Sequence, residues 1–331
     1  MSERSDFKLP KGLKPRAELD YRFPESFEAS IPEGVRVLTE FFAAICRRDS
    51  KRLAELIHFP YAIYEGNECV VIESAGAFLS SSPPSLDVKA LAPGSFDLLS
   101  GMEVLVVDPA RVGLAMSFSR HRKDGTQLLE CGGVYAVTKN NGRWALELSS
   151  TIFRPTDQLH VVYNDAIETA LRLGQEWMEG WTHNDGELLD STRQFGRHAG
   201  IGYPGPGNRF KAVQEGKLER VYRSTGIMSR LTVTETKPGS KGTYDFPEFR
   251  VNAGHGLGGY AYSLHRPDSR VLHHTYNKVH IAGGYTRYQA DGSLLSETHG
   301  VSIITKVKNH WGMAGGFGAI IRHDATNDER G

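Results

Sequence analysis

Histidines are concentrated in the last third of this 331-residue chain, where seven of the 13 lie between His255 and His310. Imidazole titrates close to neutral pH, so histidines that share a surface can exchange protons with a bound molecule. If Tyr276-Asn277 closes a β-hairpin, His273 lies directly opposite His280. The pattern therefore favours general acid–base chemistry in this region.

A second hairpin extends this group of residues. Asp291-Gly292 is a strong signal for a two-residue loop, which pairs His299 with Gly284 and Glu297 with Thr286. Side chains alternate between the faces of a strand, so His299 and Glu297 share a face with the two paired histidines. The predicted catalytic groups are His273, His280, Glu297 and His299.

Small residues occupy the face that carries these groups. In the corresponding hairpin of the first half, one face carries Ala115, Ser117, Ser119, Glu130, Gly132 and Val134, and the other carries Val112, Leu114, Met116, Phe118, Cys131 and Tyr135. The last strand alternates similarly, with Gly312, Ala314, Gly316 and Gly318 between Trp311, Met313 and Phe317. A small-residue face leaves volume for a ligand, and we expect the pocket there. The alternative is that the bulky face packs against helices while the small face meets another sheet.

Five further residues of the second half are expected to contact the substrate: Trp181, Tyr203, His255, Tyr262 and Tyr288. His255 lies in a glycine-rich segment, 254–259, that matches G-x-G-x-x-G. The residues after it alternate like a strand, whereas a dinucleotide site needs a helix there to hold the pyrophosphate. We therefore predict no cofactor and interpret the segment as a flexible or bulged stretch, or a lid.

A metal site is not predicted either. His299 would lie four residues along the sheet from the pair formed by His273 and His280, which is about 13 Å at the rise of a β-strand. One metal ion cannot bridge that distance.

The overall charge excludes several classes of partner. Lys and Arg total 39, as do Asp and Glu, so nothing draws the chain to phosphate backbones or anionic lipid. No apolar run reaches the ~18 residues of a membrane span, and the amino terminus lacks the apolar core of a secretion signal. The three cysteines show no C-x-x-C spacing. We expect a cytoplasmic protein with a small-molecule substrate and no nucleic-acid or membrane partner, and homo-oligomerisation stays open.

The sequence repeats itself. Residues 119–146 and 286–313 align without a gap, and 10 of the 28 positions are identical, including Asp124/Asp291, Glu130/Glu297 and Trp144/Trp311. Unrelated segments would share roughly two, so the pattern indicates an internal duplication.

Each half is predicted to begin with helices. Ser30-x-x-Glu33 resembles a capping box before the apolar stripe Leu38, Phe41, Phe42 and Ile45, and a short helix follows Asp49. Asp165-x-x-Glu168 opens a helix whose predicted stripe is Ile167, Ala170, Leu171, Trp177, Met178 and Trp181. The halves are offset by 136 residues in these helices but by 167 in the strands, so the second carries about 31 extra residues. The predicted organisation is an irregular arm over 1–30, a first domain over 31–157, and a second over 158–325 with an insert around 200–270.

Helices followed by a long antiparallel meander resemble the nuclear transport factor 2-like superfamily, which includes ketosteroid isomerase, scytalone dehydratase and small polyketide cyclases. The residues that carry the resemblance are 41–64, the two Asp-Gly hairpins and the strands opened by Trp144 and Trp311. The resemblance implies an α+β fold of two cone-shaped domains in tandem, each with helices packed on a curved antiparallel sheet. In ketosteroid isomerase the base follows the short helix, which implies Glu65 here, but Phe41 stands where its aromatic donor would be. Whether the first domain has its own site, with Tyr61, Tyr64, Glu65 and Glu130, stays open.

The sequence thus predicts a cofactor-independent lyase or isomerase that acts on a small, largely apolar alicyclic or aromatic molecule in the second domain. A histidine or glutamate would remove a proton, and nearby Tyr or His groups would stabilise the oxyanion. The alternative is a non-enzymatic small-molecule-binding or scaffold protein, because fold does not determine function.

Overall fold

The structure is a computed structural model that describes residues 28–80, 96–183, 186–194, 196–201, 231–236, 262–265, 269–288 and 294–323. Most of the predicted arm and insert, including Tyr203 and His255, lies outside these ranges. The domain boundaries therefore stay predictions. In the described part of the chain, no helix is long and apolar enough to cross a membrane.

The α+β class is confirmed. The first half contains helices α1 (Ile31–Arg47), α2 (Ser50–Glu55) and α3 (Ala75–Ser80) and strands β1 (Ile57–Glu65), β2 (Glu68–Ile72), β3 (Phe96–Asp108), β4 (Arg111–His121), β5 (Gln127–Asn140) and β6 (Arg143–Pro155). The six strands form one sheet in the order β2-β1-β6-β5-β4-β3, in which β1 and β6 are parallel and the other neighbours antiparallel.

The second half, which follows a single 3₁₀ turn at Thr156–Gln158, repeats this order. It contains α4 (Asn164–His183), α5 (Gly186–Ser191), β7 (Gly196–Ile201), β8 (Leu231–Thr236), β9 (Tyr262–His265), β10 (Arg270–His274), β11 (Lys278–Tyr288), β12 (Leu294–Val307) and β13 (His310–His323). The sheet order is β8-β7-β13-β12-β11-β10, with β9 paired to β11 and with β7 parallel to β13. Residues 66–67 join β1 to β2, whereas residues 202–230 separate β7 from β8, so much of the extra length lies there.

The turn signals set the strand register correctly. Residue 284 pairs with 299 and residue 286 with 297, as the Asp291-Gly292 loop predicts. His273 also pairs with His280. In the first half, Ala115 pairs with Val134 around Asp124-Gly125. The faces assigned to β4, β5, β11 and β12 from the sequence are therefore confirmed.

The last strand departs from the predicted alternation because each half contains a β-bulge at the same place. In β13, Met313 pairs with Ile304 and Gly315 with Ile303, so Ala314 is an extra residue. Glu147 is the corresponding extra residue of β6. A bulge exchanges the two faces beyond it. Gly316 therefore lies on the same face as Met313, and the prediction that places Gly312, Ala314, Gly316 and Gly318 on one face is wrong.

Two predictions about the helices also need correction. Ser30 is the residue before α1, but its side chain makes no capping hydrogen bond, because its backbone is already helical and its carbonyl accepts from Gly34. In α4 the buried residues include Ala166, Ala170 and Leu173, whereas Leu171 is exposed. The contact face is rotated by about one residue from the predicted stripe, since Ala166 and Ala170 pack in the same core as the sheet residues Ile281, Ile304 and Met313.

Each sheet has one face toward its own helices and one toward the other sheet. The bulky face of the first sheet packs against α1 and α2 in a large core whose members include Leu38, Phe41, Leu114, Phe118 and Tyr135. The small faces of the two sheets pack together and form a shared core, which includes Ala115, Val134, Ala282, Val301 and Phe317. The prediction of a pocket on the small face is therefore wrong, and the alternative arrangement is observed. We call this contact the sheet–sheet interface.

Two buried cations cross the sheet–sheet interface at equivalent positions. Arg111, at the start of β4, donates from Nη1 to the carbonyl oxygens of Ile201 and Gly318 in the second half. Lys278, at the start of β11, donates from Nζ to the carbonyl oxygens of Tyr64 and Thr151 in the first half, each at 3.1 Å. These bonds satisfy backbone oxygens that packing would otherwise leave without donors.

The two cations differ in their electrostatic surroundings. Arg111 has the carboxylate of Asp108 within 3.5 Å, and both side chains are buried. Burial lowers the pKa of Lys278 to about 7, although the charge of Glu65 opposes the shift. Lys278 can therefore lose its proton near neutral pH, whereas a guanidinium keeps its charge.

We predict that Lys278 makes the stability of the protein depend on pH above neutrality. An unfolded lysine titrates near 10.5, so between pH 7 and that value unfolding takes up a proton, and the free energy of unfolding rises by up to about 1.4 kcal/mol per pH unit. Urea denaturation at pH 7, 8 and 9 should show wild type gaining stability relative to Lys278→Met. The control is Arg111→Met, for which the difference from wild type should not change over this range. Parallel pH dependences of wild type and Lys278→Met would contradict the prediction.

Candidate functional site

The structure brings two of the four predicted catalytic residues into contact at the sheet–sheet interface. His273 Nδ1 lies 3.4 Å from His280 Nδ1. His280 Nε2 is 2.8 Å from Ser150 Oγ, and His273 Nε2 is 3.4 Å from Ser117 Oγ. The result is a chain of polar groups, Ser117–His273–His280–Ser150, in which the two histidines of one sheet are held between two serines of the other. We call it the histidine chain.

Glycine is required where the histidine chain crosses between the sheets. A Cβ atom on Gly132 would lie 2.1 Å from Cδ2 of His273, so any larger residue would displace the imidazole. His280 is fully buried, whereas His273 keeps partial exposure.

Both imidazoles of the histidine chain are neutral at physiological pH. Burial lowers the pKa of His273 to about 4, and Arg270 and His274 contribute in the same direction. Burial also lowers the pKa of His280 well below its usual value, with smaller effects from His273 and Lys278. Neutral imidazoles can accept a proton at one nitrogen and donate at the other, which is the property that acid–base catalysis requires.

The other predicted site residues are placed by their strands and helices alone. His299 is buried on the same face of β12, opposite residues 284 and 319. The backbone of Glu297 pairs with Thr286 as expected, but its side chain lies outside what the structure describes. The same holds for Trp181 in α4, Tyr262 in β9 and Tyr288 in β11. Their roles stay predictions.

In the first half, the tyrosines after the short helix are structural. Tyr61 and Tyr64 are both buried. The hydroxyl of Tyr61 bonds Ser149 Oγ inside the helix-packed core, and that of Tyr64 accepts from the backbone N–H of Ala199 across the sheet–sheet interface.

A different surface, the helix-facing side of the second sheet, is lined by small residues. Strand pairing places Ser302 beside Gly316 and Gly300 beside both Gly283 and Gly318 on this side. All five keep partial exposure, although they lie in the middle of the sheet. We call these five residues the concave floor. Its members at Gly316 and Gly318 face this side only because of the β13 bulge.

The equivalent surface of the first sheet is filled. Tyr135 stands at the position of Ser302, and Met116 at that of Gly283. The ring of Tyr135 packs edge-on against Phe42 of α1, with centroids 5.6 Å apart, and also covers Gly133. Tyr135 and Met116 are buried. The second half has a small, partly exposed serine where the first half has Tyr135, whereas Ser269 packs over Gly283.

The border of the concave floor is mostly apolar. Ile281, Ile304 and Met313 pack against Ala170 and Leu173 of α4 at one end, and Trp177 packs on the same cluster. Thr298 lies at the other end of the floor, and its buried Oγ1 has no hydrogen-bond partner among the described residues. Such a surface suits a compact apolar molecule with one polar group.

The sequence contains a signal for this surface, although the sequence-based prediction places the pocket on the opposite face of the sheet. Gly300 and Ser302 lie one position away from His299 and Val301, so alternation alone places them opposite the small face. The repeat alignment also pairs Ser302 with Tyr135, a loss of volume that marks the second half.

Comparisons with known proteins show similarity to solved structures alone. No protein-family model matches the chain, and no curated protein matches it. The solved structures that resemble part of it include nuclear transport factor 2-like and cystatin-like folds.

Three solved structures represent these similarities. A putative ketosteroid isomerase from Shewanella frigidimarina is 13% identical over 35% of this chain and 92% of its own, with a TM-score of 0.30. A nuclear transport factor 2-like protein of unknown function from Pseudomonas putida is 8% identical over 38% and 86%, with a TM-score of 0.32. The hexachlorocyclohexane dehydrochlorinase LinA-type3 from Novosphingobium barchaimii is 10% identical over 41% and 96%, with a TM-score of 0.30. At these values the similarities say nothing about the activity of this chain.

We predict that the histidine chain destabilises the protein in mild acid. The two imidazoles stay neutral in the folded state, whereas unfolded histidines take up protons below pH 6.5, so the free energy of unfolding falls as the pH drops from 6.5 toward 4. Each imidazole contributes up to about 1.4 kcal/mol per pH unit. Chemical denaturation at pH 7, 6 and 5 should show a smaller loss for His273→Gln/His280→Gln than for wild type. An unchanged slope in the double variant would disprove the prediction.

Proposed function

We propose that the chain is a tandem pair of nuclear transport factor 2-like domains in which the second domain binds a small, largely apolar molecule and the first is its structural partner. The two sheets share their strand order, the parallel pair at the same position and the bulge in the last strand. These shared features support a duplication, which the sequence repeat also indicates.

The partial exposure of the concave floor is the observation that carries the binding proposal. The interior of a folded domain is normally close-packed, so accessible glycines in the middle of a sheet indicate room for another molecule. The first half, whose equivalent positions hold Tyr135 and Met116, leaves no such room.

The ligand class follows from the lining. Apolar contacts come from Ile281 and the cluster around Leu173 and Trp177, and the Ser302 and Thr298 hydroxyls are available for one or two hydrogen bonds. Within the described residues, no charged side chain lies on the concave floor. An alicyclic or aromatic compound with a single hydroxyl or carbonyl group fits this lining best.

The proposal is tested by replacing Ser302 with tyrosine, the residue that the first half has at the equivalent position, Tyr135. Ser302→Tyr should fill the space above the floor and weaken binding of an aromatic probe, 2-naphthol, by about ten-fold or more, which is ~1.4 kcal/mol. Binding is measured by calorimetry and by quenching of 2-naphthol fluorescence.

Ser302→Ala is the matched control, because it keeps the site small and should bind 2-naphthol within about two-fold of wild type. Melting curves establish that both variants are folded. Equal binding by Ser302→Tyr and wild type would refute the concave floor as the site.

A second candidate is catalysis by general acid–base chemistry, as in a lyase or isomerase without a cofactor. The observation that favours it is the histidine chain, in which two neutral imidazoles lie within hydrogen-bonding reach of each other. His273 would remove a proton from a carbon atom of the substrate, and His280 would tune its basicity from within the sheet–sheet interface.

Catalysis is tested with alicyclic and aromatic substrates that can lose water or hydrogen chloride or shift a double bond. Replacing His273, His280, Glu297 and His299 by Gln or Asn, one at a time, should lower kcat by about 100-fold for a residue that transfers the proton. Unaltered turnover in all four variants would reject the assignment. Turnover absent in wild type, with 2-naphthol still bound at the concave floor, would favour the binding protein.

A further inference from the structure

The sheet–sheet interface relates the two halves by a pseudo-twofold axis, and the strand registers show which residues correspond. One row across the first sheet is Glu103, Ala115, Val134, Ser150 and Tyr64, and its counterpart is Arg270, Ala282, Val301, Phe317 and Ile201. The next row is Val106, Gly113, Ala136, Leu148 and Ala62, and its counterpart is His273, His280, Ile303, Gly315 and Ala199.

The backbone contacts obey this symmetry. Arg111 reaches two carbonyl oxygens of the second half, and Lys278 reaches those of the corresponding residues of the first. The frame of the interface would therefore suit two identical halves.

The side chains do not obey it. Where Ser150 of the first half meets the second, it contacts the large His280, at 2.8 Å. At the symmetry-related place, the large Phe317 meets Gly113, and a Cβ atom there would lie 2.4 Å from the phenyl ring. Each place holds one large and one small residue, but the large one belongs to β11 at the first place and to β13 at the second.

Three further contacts show the same one-sided fit. The Tyr64 hydroxyl packs against Gly315, where a Cβ atom would lie 1.9 Å from it, and the residue equivalent to Gly315 is Leu148. His273 packs on Gly132, whose equivalent is His299. Glu103 forms an ion pair with Arg270, the residue that stands at the corresponding position of the second half.

Pairing two like halves would spoil each of these contacts. Two second halves would place Phe317 against His280, His299 against His273 and Arg270 against Arg270. Two first halves would place Leu148 against Tyr64 and Glu103 against Glu103, and would leave a void between Gly113 and Ser150. Clashes, like charges and voids each oppose packing.

We propose that the sheet–sheet interface accepts only one first half with one second half, so that the chain is a built-in heterodimer whose halves have lost the ability to pair with themselves. The size complementarity at Ser150/His280 and Gly113/Phe317 supplies most of this selectivity. The inference concerns the interface alone and does not depend on what the concave floor binds.

A double-mutant cycle in the full chain tests the size complementarity. Ser150→Phe places a phenyl ring against His280, as a pair of two second halves would, and should lower the melting midpoint by about 5 °C or more through overpacking. Adding His280→Gly converts this place into a copy of Gly113/Phe317 and should restore at least half of the loss. Additive effects of the two substitutions would overturn the proposal.

The symmetry-related place gives a second cycle if Ser150→Phe does not fold. Phe317→Ser leaves a void and should lower the midpoint, and Gly113→His should restore part of it by copying His280/Ser150. A double variant less stable than either single variant would contradict the proposed equivalence.

Selectivity itself is tested by cleaving the folded full chain at a protease site placed in residues 156–162. Native mass spectrometry of the cleaved protein should show one first half bound to one second half. Pairs of like halves, or separated halves at micromolar concentration, would overturn the proposal. Ligand binding is not read out in these measurements, so their failure is distinguishable from failure of the proposed binding function.

Discussion

Packing of one sheet face against another is the constraint on which the rest of this structure depends. Small residues between two sheets let them approach closely, and alanine is the commonest residue of the shared core. The approach also buries backbone oxygens, and Arg111 and Lys278 satisfy them from opposite sides. Because each half supplies one cation and accepts the other, neither sheet is complete without its partner.

This constraint separates the two tasks of each sheet. The face turned to the other sheet must keep its side chains, because a change in size there disturbs both halves. The face turned to the helices is free to differ, and the halves do differ there: Tyr135 fills the first, and Ser302 leaves the second open. Structural support and ligand space are thus assigned to different halves of one chain, while the fold itself stays the same.

Much of the framework could be predicted from the sequence, because local signals determine it. The Asp-Gly turns gave the register of both long hairpins, and the repeat gave the number of sheets. The position of the candidate site was harder to predict. Alternation identified two chemically distinct faces of each sheet. Which face packs against helices and which packs against the other sheet depends on the tertiary structure, and alternation does not determine it. The contact face of α4 was also hard to predict, since Ala166 and Ala170 carry little hydrophobic signal although both are buried against the second sheet. The bulge at Ala314 has no turn residue to mark it, and it reversed the faces of the glycines that follow.

That bulge has a consequence for how this chain can change over time. Beyond Ala314, the aromatic ring of Phe317 points toward the partner sheet, and the glycines on either side of it point toward the concave floor. Loss of Gly316, with the pairing kept up to Gly315, would exchange them, placing the ring in the ligand space and Gly318 against the partner sheet. Beyond the bulge the strand can therefore accept substitutions on its ligand side but not the loss of a residue, so new ligand preferences in the second half must arise by replacing residues, one side chain at a time.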